Sequence, residues 1–384
     1  RHYEAALVLA DLAAGGGASR LKERSPEPRV LPIRYRRGAR LYTADRYVPG
    51  EPTLAHLILV HGFAPLGKDD PRLQAAAMTF ARVRFSVLAP DIEPLRAMRV
   101  DESVAGDLAA AMAYVRRHRG RPFGVMAFSY AVGPAIIAAS RLPPGEQPDF
   151  LVAVGGYYDI VDAIRYATTG YFRALDGASR YRPPDPAARW WFLGGYLDRL
   201  ADRKERLTLA RIIELKKRSP RADVRALVDE LGPDGRAVYA LMANRDPTRV
   251  AVLIDALPLP FRRTIAALNL ARVDLGALHS RAILVHGLDD DIIPPAQSRA
   301  LARALPPDQV RLFLVRGLHH VDLRPDGLGR WRLLQAVAAL LAQRQPRHRS
   351  AAAFPGAFRI TTSTRRFCAR PCAVSFEAMG RSAP

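Results

Sequence analysis

Covalent cross-links have almost no material here. Of 384 residues only Cys368 and Cys372 are cysteine, both close to the C-terminal end. A disulfide-built scaffold is excluded, and with no second ligand pair so is a finger-type zinc site. No metal and no cofactor is therefore expected. Lysine is nearly as scarce. Of the 58 basic residues five are lysine (22, 68, 204, 216 and 217), which leaves 53 arginines, spread along the chain rather than gathered in a block. Acidic residues are short as well, at 37, so the net charge is +21. No finger motif and no basic stripe interleaved with aromatics accompanies that charge, so no nucleic-acid partner is expected. A general attraction to anionic surfaces is all that charge alone allows. No uncharged run approaches about 18 apolar residues, so no membrane span is expected. The chain starts at Arg1 without a methionine, and cytoplasmic and exported locations both stay open. Oligomeric state is not legible.

What is present is ordinary globular material: 49% hydrophobic and 25% charged residues, in a length that suits more than one compact unit. Residues 1–14 read as a helix ended by Gly15-Gly16-Gly17. Residues 29–35 and 40–47 alternate around Arg36-Arg37-Gly38 and read as an edge hairpin. A regular rhythm follows. Leu57–Val60 and Phe85–Pro90 are apolar runs of strand length, separated by a helix over 72–83 that Asp69-Asp70-Pro71 caps. A helix over 102–118 carries Val104, Leu108, Met112 and Val115 on one stripe. Further strands begin at Phe123 and Phe150. Strand alternating with helix implies a parallel sheet covered on both faces.

Residues 158–277 break the rhythm. Helical patterns dominate there (189–216, 221–231, 235–243, 247–256 and 260–270), so the segment reads as a helical insertion after the sixth strand. The strands then return at 282–287 and 310–315, and a last amphipathic helix covers 328–343. Beyond Gln345 no packing period remains, and 346–384 reads as a disordered basic tail. The expected organisation is an N-terminal helix and linker (1–24), a core (25–157 and 278–345), the insertion (158–277) and the tail.

One joint organises the rest. The strand Phe123–Phe128 runs into a small-residue helix from Val132 on, with Ser129 between them and Ala127, Ala131 and Gly133 around it. A sharp turn from strand to helix needs small neighbours, because the backbones pass close together. It also lifts the hydroxyl clear of the sheet and aims backbone N–H groups at its surroundings. Two other strands end in chemistry: His286-Gly-Leu-Asp289-Asp290-Asp291, and Gly317-Leu-His319-His320. A serine hydroxyl is a poor nucleophile until a base takes its proton and an acid orients that base. Serine, acid and histidine in that order at the carboxyl ends of strands supply the set, where open α/β sheets bind ligands.

Ala127-Phe-Ser129-Tyr-Ala131 resembles the nucleophile elbow of the α/β-hydrolase superfamily, with alanines in place of the usual glycines. The resemblance covers about 30–157 and 278–345 and extends to bacterial serine esterases and dienelactone hydrolases. It implies an α/β-hydrolase fold: a mostly parallel, doubly wound sheet with a helical cap after the sixth strand. It also implies roles for single residues. Ser129 would be the nucleophile. Gly287-x-x-Asp290-x-x-x-Pro294 matches the family pattern and selects Asp290 over Asp289 and Asp291. His320 stands three after Gly317, at the family's spacing, with His319 the rival register. His61-Gly62 looks like the family's turn after the third strand, which makes the backbone N–H groups of Phe63 (or Ala64) and Tyr130 the oxyanion donors. Tyr157, Tyr158, Tyr171, Phe172, Trp190, Trp191 and Phe192 are candidates for an acyl pocket. The expected function is cleavage of a small-molecule carboxylic ester through an acyl-serine. Thioesterase, lactonase or peptidase activity, or a silent hydrolase-fold binding protein, are the alternatives.

Overall fold

The computed structural model describes residues 1–117, 120–320, 322–323 and 326–345; the tail expected over 346–384 lies outside them. Two helices open the chain, α1 (His2–Ala14) and α2 (Arg20–Arg24). The hairpin β1 (Arg29–Arg37) and β2 (Arg40–Val48) follows, then β3 (Ala55–Val60), α3 (Pro71–Arg82), β4 (Phe85–Pro90), α4 (Glu93–Arg96) and α5 (Ser103–Arg116). β5 (Phe123–Phe128), α6 (Val132–Ser140) and β6 (Phe150–Val154) complete the first half. These strands, with β9 (Arg281–Gly287) and β10 (Val310–Val315), make one eight-stranded sheet in the order β1-β2-β4-β3-β5-β6-β9-β10. β2 runs antiparallel to β1 and β4, and every other pairing is parallel. Every residue of β3, β4 and β6 is buried, which is why these runs read as apolar without alternation.

Alternation still sorts the side chains between two faces. Val60, Val125, Ala127, Leu151 and Ala153 enter one core with α5, α6 and the insertion. Leu59, Met126, Phe128, Val152 and Val154 enter a second core with α1, α3 and the C-terminal helix. Local chemistry sets the helix ends. Asp70 caps α3 by accepting from the N–H of Arg72, and Pro71 stands at its first position, where no donor is needed.

Between β6 and the next sheet strand come α7 (Ile160–Thr169), the small hairpin β7 (Tyr171–Arg173) and β8 (Ser179–Tyr181), then α8 (Ala188–Gly194) and α9 (Arg203–Arg218). α10 (Arg225–Asp229), α11 (Pro233–Ala243), α12 (Val250–Asp255) and α13 (Leu259–Leu268) follow. Two details differ from the sequence reading. A helix and a hairpin occupy 160–181, and the single helix expected over 189–216 is two. It breaks at Gly195, where a Cβ would lie 2.8 Å from the carbonyl oxygen of Met98, while the Gly195 carbonyl accepts from Val100 N–H at 2.8 Å. Asp202 then caps α9 on the N–H of Glu205.

The sheet resumes with β9 (Arg281–Gly287), α14 (Ala296–Ala304) and β10 (Val310–Val315), and α15 (Gly327–Leu341) ends the fold. α15 lies beside α1, and Arg344, in the turn just past α15, pairs with Glu4 of α1 at 2.6 Å. α1 is also held through buried Asp11, which bonds Thr79 of α3 at 2.6 Å and pairs with Lys22 at 2.8 Å. Among the described residues no helix is long and apolar enough to cross a membrane.

Candidate active site

Three loops meet at the carboxyl edge of the sheet. After β5 the chain turns through one 3-10 turn, Ser129–Ala131, into α6. Ser129 has φ +53°, a left-handed backbone that a non-glycine residue adopts only under constraint. The constraint is visible on both sides. Phe128 is fixed in β5, and the Tyr130 hydroxyl, buried at the next position, accepts from the N–H of Asp101 at 3.0 Å. Gly62 presses against the turn: a Cβ there would lie 3.1 Å from both the Phe128 carbonyl oxygen and Ser129 Cβ.

His320 stands in the loop after β10, also left-handed at φ +48°. Its Nε2 is 2.8 Å from Ser129 Oγ and its Nδ1 is 2.9 Å from Asp290 Oδ2. A carboxylate only accepts, so Nδ1 carries the proton, and Nε2 accepts from the serine hydroxyl. Asp290 is fully buried after β9 and surrounded by donors. Its Oδ1 accepts from the N–H groups of Ile292 (2.9 Å) and Ile293 (2.8 Å). Burial alone would raise its pKa; hydrogen bonds from His286 and His320 outweigh that and hold the carboxyl well below the ordinary carboxylate range.

The neighbours face elsewhere. Asp289 accepts from the N–H of Gly317 at 2.7 Å, which ties the β9 loop to the β10 loop. The Asp291 carbonyl accepts from Asp185 N–H at 2.9 Å. His319 is exposed. Ser129, Asp290 and His320 are thus brought together, and Asp289, Asp291 and His319 are not part of that chain of hydrogen bonds.

One residue at this centre escaped the sequence reading. His286, the penultimate residue of β9, is fully buried. Its Nε2 is 2.8 Å from the Ile293 carbonyl oxygen and 3.3 Å from Asp290 Oδ2, and its Nδ1 is 2.6 Å from Ser298 Oγ. Both neighbours of Nε2 are acceptors, so that nitrogen carries the proton and Ser298 donates to Nδ1. The only sequence signal was a histidine ending an apolar strand four residues before the acid.

Phe63 follows Gly62 and Tyr130 follows Ser129, and their rings stack on one another with centroids 4.7 Å apart. The Tyr130 N–H belongs to the opening turn of a helical run, whose first N–H groups have no partner within the helix. Next to them His61 is buried, its Nδ1–H donating to the Gly62 carbonyl at 2.6 Å. Its Nε2 has no hydrogen-bond partner among the described residues. Burial lowers its pKa from the usual 6.5, against a smaller raising effect of the Gly62 carbonyl.

Ser129, Phe63, Ala64, Tyr130 and His320 border a cavity of about 740 Å³. Of the seven aromatic residues expected at a pocket, Trp191 and Phe192 line it and the other five do not. Tyr157 and Trp190 are instead core residues of the fold. A hydroxyl in line with an imidazole and a buried carboxylate, at the mouth of an apolar cavity, can attack an electrophilic carbon while the imidazole takes its proton.

No family model and no curated protein matches the chain. Similar solved structures include the acylaminoacyl peptidase of Pyrococcus horikoshii, 11% identical with a TM-score of 0.45 over 83% of this chain and 41% of that one. A dienelactone hydrolase from Anabaena variabilis ATCC 29413 is 13% identical, with a TM-score of 0.41 over 81% of this chain and 96% of its own. A lipase in its open form is 16% identical, with a TM-score of 0.47 over 83% of this chain and all of its own. The chain spans less than half the length of the peptidase.

Proposed function

We propose that this chain, an α/β-hydrolase by its strand order, is a serine hydrolase that cleaves carboxylic esters through an acyl-serine. The observation that carries this reading is the unbroken hydrogen-bond chain Ser129 Oγ–His320–Asp290, at 2.8 and 2.9 Å. As Ser129 Oγ attacks the ester carbonyl, His320 Nε2 takes its proton and Asp290 stabilises the resulting imidazolium. The carbonyl oxygen becomes an oxyanion, which the N–H groups of Phe63 and Tyr130 are assigned to bind. When the intermediate collapses, the C–O bond to the alcohol breaks and His320 returns the proton to the leaving oxygen. Water, activated by the same imidazole, then attacks the acyl-serine; the acid is released and Ser129 regains its proton.

The helical insertion, 158–277, is assigned as a cap over this centre. Trp191 and Phe192 border the cavity, and Arg182 donates to the Leu288 carbonyl at 2.6 Å, on the loop that carries Asp290. The core then comprises 25–157 and 278–345.

The test is a panel of chromogenic oxygen esters, thioesters, lactones and peptide anilides, run on wild type and on Ser129→Ala. Oxygen esters are expected to turn over fastest. Ser129→Ala is expected to lose on the order of 10⁴-fold or more in kcat with an unchanged circular dichroism spectrum. A fluorophosphonate should label wild type once, at Ser129. Ester turnover by the variant within about tenfold of wild type would remove the serine from the mechanism. A silent enzyme that also resists the fluorophosphonate would leave a binding protein.

A further inference from the structure

The cavity at Ser129 does not stay at the carboxyl edge of the sheet. It continues into the second core, between the sheet and the helices α1, α3 and α15. Met126, Phe128, Val152 and Val285 form its sheet wall. The opposite wall is Leu9 and Leu12 of α1, Leu73 and Phe80 of α3, and Ala336 and Val337 of α15. On α3 the lining positions 73, 76 and 80 lie on one side, and on α15 the positions 333, 336, 337 and 340 do the same. Each series covers eight residues, seven steps of about 1.5 Å, so this part of the cavity runs for about 10 Å along two helical turns.

We infer that this channel is an acyl-chain site, and that the substrate is an ester of an unbranched fatty acid of medium or long chain. The inference rests on the serine-hydrolase reading for the bond that is cut. The cavity is graded in polarity. His61 and His320 stand at the serine, and Asp70 and Arg72 stand at the N-terminal end of α3, whereas the stretch between the sheet and the helices is lined by aliphatic, methionine and phenylalanine side chains. That gradient fits an amphiphile with its ester group at Ser129 and its tail under the sheet. Interiors close-pack with few voids larger than a water, and apolar cavities hold water poorly. A water occupies roughly 30 Å³ of liquid and a methylene about as much, so 740 Å³ has the capacity of some two dozen such groups. Small side chains, Ala76 and Ala336, stand where a narrow flexible chain would pass. α1 closes the channel from outside, pinned through Asp11 and Glu4.

The experiment compares acetyl, butyryl, octanoyl, lauroyl and palmitoyl p-nitrophenyl esters below their aggregation concentrations. Each buried methylene is expected to raise kcat/KM by about fourfold until the channel is filled. Ala336→Phe and, on a separate helix, Ala76→Phe narrow the channel. Each should lower the lauroyl-to-butyryl ratio of kcat/KM at least about tenfold, the loss of two or so buried methylenes. In parallel, binding of cis-parinaric acid, a fluorescent fatty acid, and its displacement by palmitate is measured on wild type, Ser129→Ala and both channel variants. Binding kept in Ser129→Ala and lost in a channel variant supports the channel even if no ester turns over, in which case only the hydrolase reading falls. Ester turnover with no chain-length dependence, or parinarate binding that neither channel variant weakens, overturns the channel and leaves the hydrolase reading standing.

Discussion

Asp290 Oδ2 lies between two imidazoles, 2.9 Å from His320 Nδ1 and 3.3 Å from His286 Nε2. The first faces the serine. The second faces inward and is locked by Ser298 and the Ile293 carbonyl. His286 is therefore a positioning residue for the carboxylate. His286→Leu should leave the Ser298 hydroxyl and the Ile293 carbonyl without that partner and lose on the order of 2–3 kcal/mol of stability. It should also lower kcat about tenfold or more with little change in KM. A carboxylate with one donor fewer interacts more strongly with protonated His320, so the acid limb of the kcat/KM profile should move to higher pH. Equilibrium unfolding and a pH–rate profile check both parts. A stability loss with an unmoved profile would reduce His286 to a packing role.

His320 and His319 are neighbours with different surroundings. His320→Ala should match Ser129→Ala in severity, on the order of 10⁴-fold in kcat. His319→Ala removes an exposed ring that does not reach the serine, so kcat should stay within about threefold. Steady-state kinetics on the two variants decides. A dead His319→Ala beside an active His320→Ala would reverse the assignment.

Gly62 is pressed against the turn that carries the serine. A methyl group at this position would meet the Phe128 carbonyl and Ser129 Cβ at 3.1 Å. The neighbour must yield by a few tenths of an ångström, and here the neighbour is the residue proposed as the nucleophile. Gly62→Ala should therefore lower kcat by on the order of tenfold or more, while the melting temperature drops by only a few degrees. Calorimetry paired with kinetics tests this. A large loss of melting temperature with kcat retained would mean that the strain is relieved in the fold and not at the serine.

His61 ties pH to stability. Burial holds its folded pKa below the ordinary 6.5, with Gly62, Asp91 and Asp70 acting against that and Arg96 acting with it. The unfolded chain therefore binds the proton first. The contribution of His61 is complete above about pH 6.5 and is lost as pH falls below that value. Asp290, whose folded pKa is depressed, contributes fully above the ordinary carboxylate range and loses its share only at lower pH. Urea unfolding between about pH 7 and pH 5 should show a shallower decline for His61→Gln than for wild type. Parallel declines would place the acid sensitivity elsewhere.

What local chemistry dictates was legible. Continuous apolar runs marked β3, β4, β5 and β6, since strands buried on both faces need no partner's identity to be recognised. Asp70-Pro71 marked the start of α3 for an equally local reason. The insertion was legible only in part. Its helical content follows from propensity, but the break at Gly195 depends on the backbone of Met98 and Val100 nearly a hundred residues away.

The sequence by itself determined the alternation of strand and helix, the placing of serine, acid and histidine at strand ends, and their order, because each rests on patterns a few residues long. The resemblance singled out Asp290 among three adjacent aspartates, and its carboxylate does face His320; only the tertiary structure decided that His286 supports it. Only the tertiary structure made the cavity. That cavity arises where Leu12 and Ala336, more than three hundred residues apart, come to face the same stretch of sheet. Such a space is set by how helices dock across the chain, and no local period of the sequence encodes it.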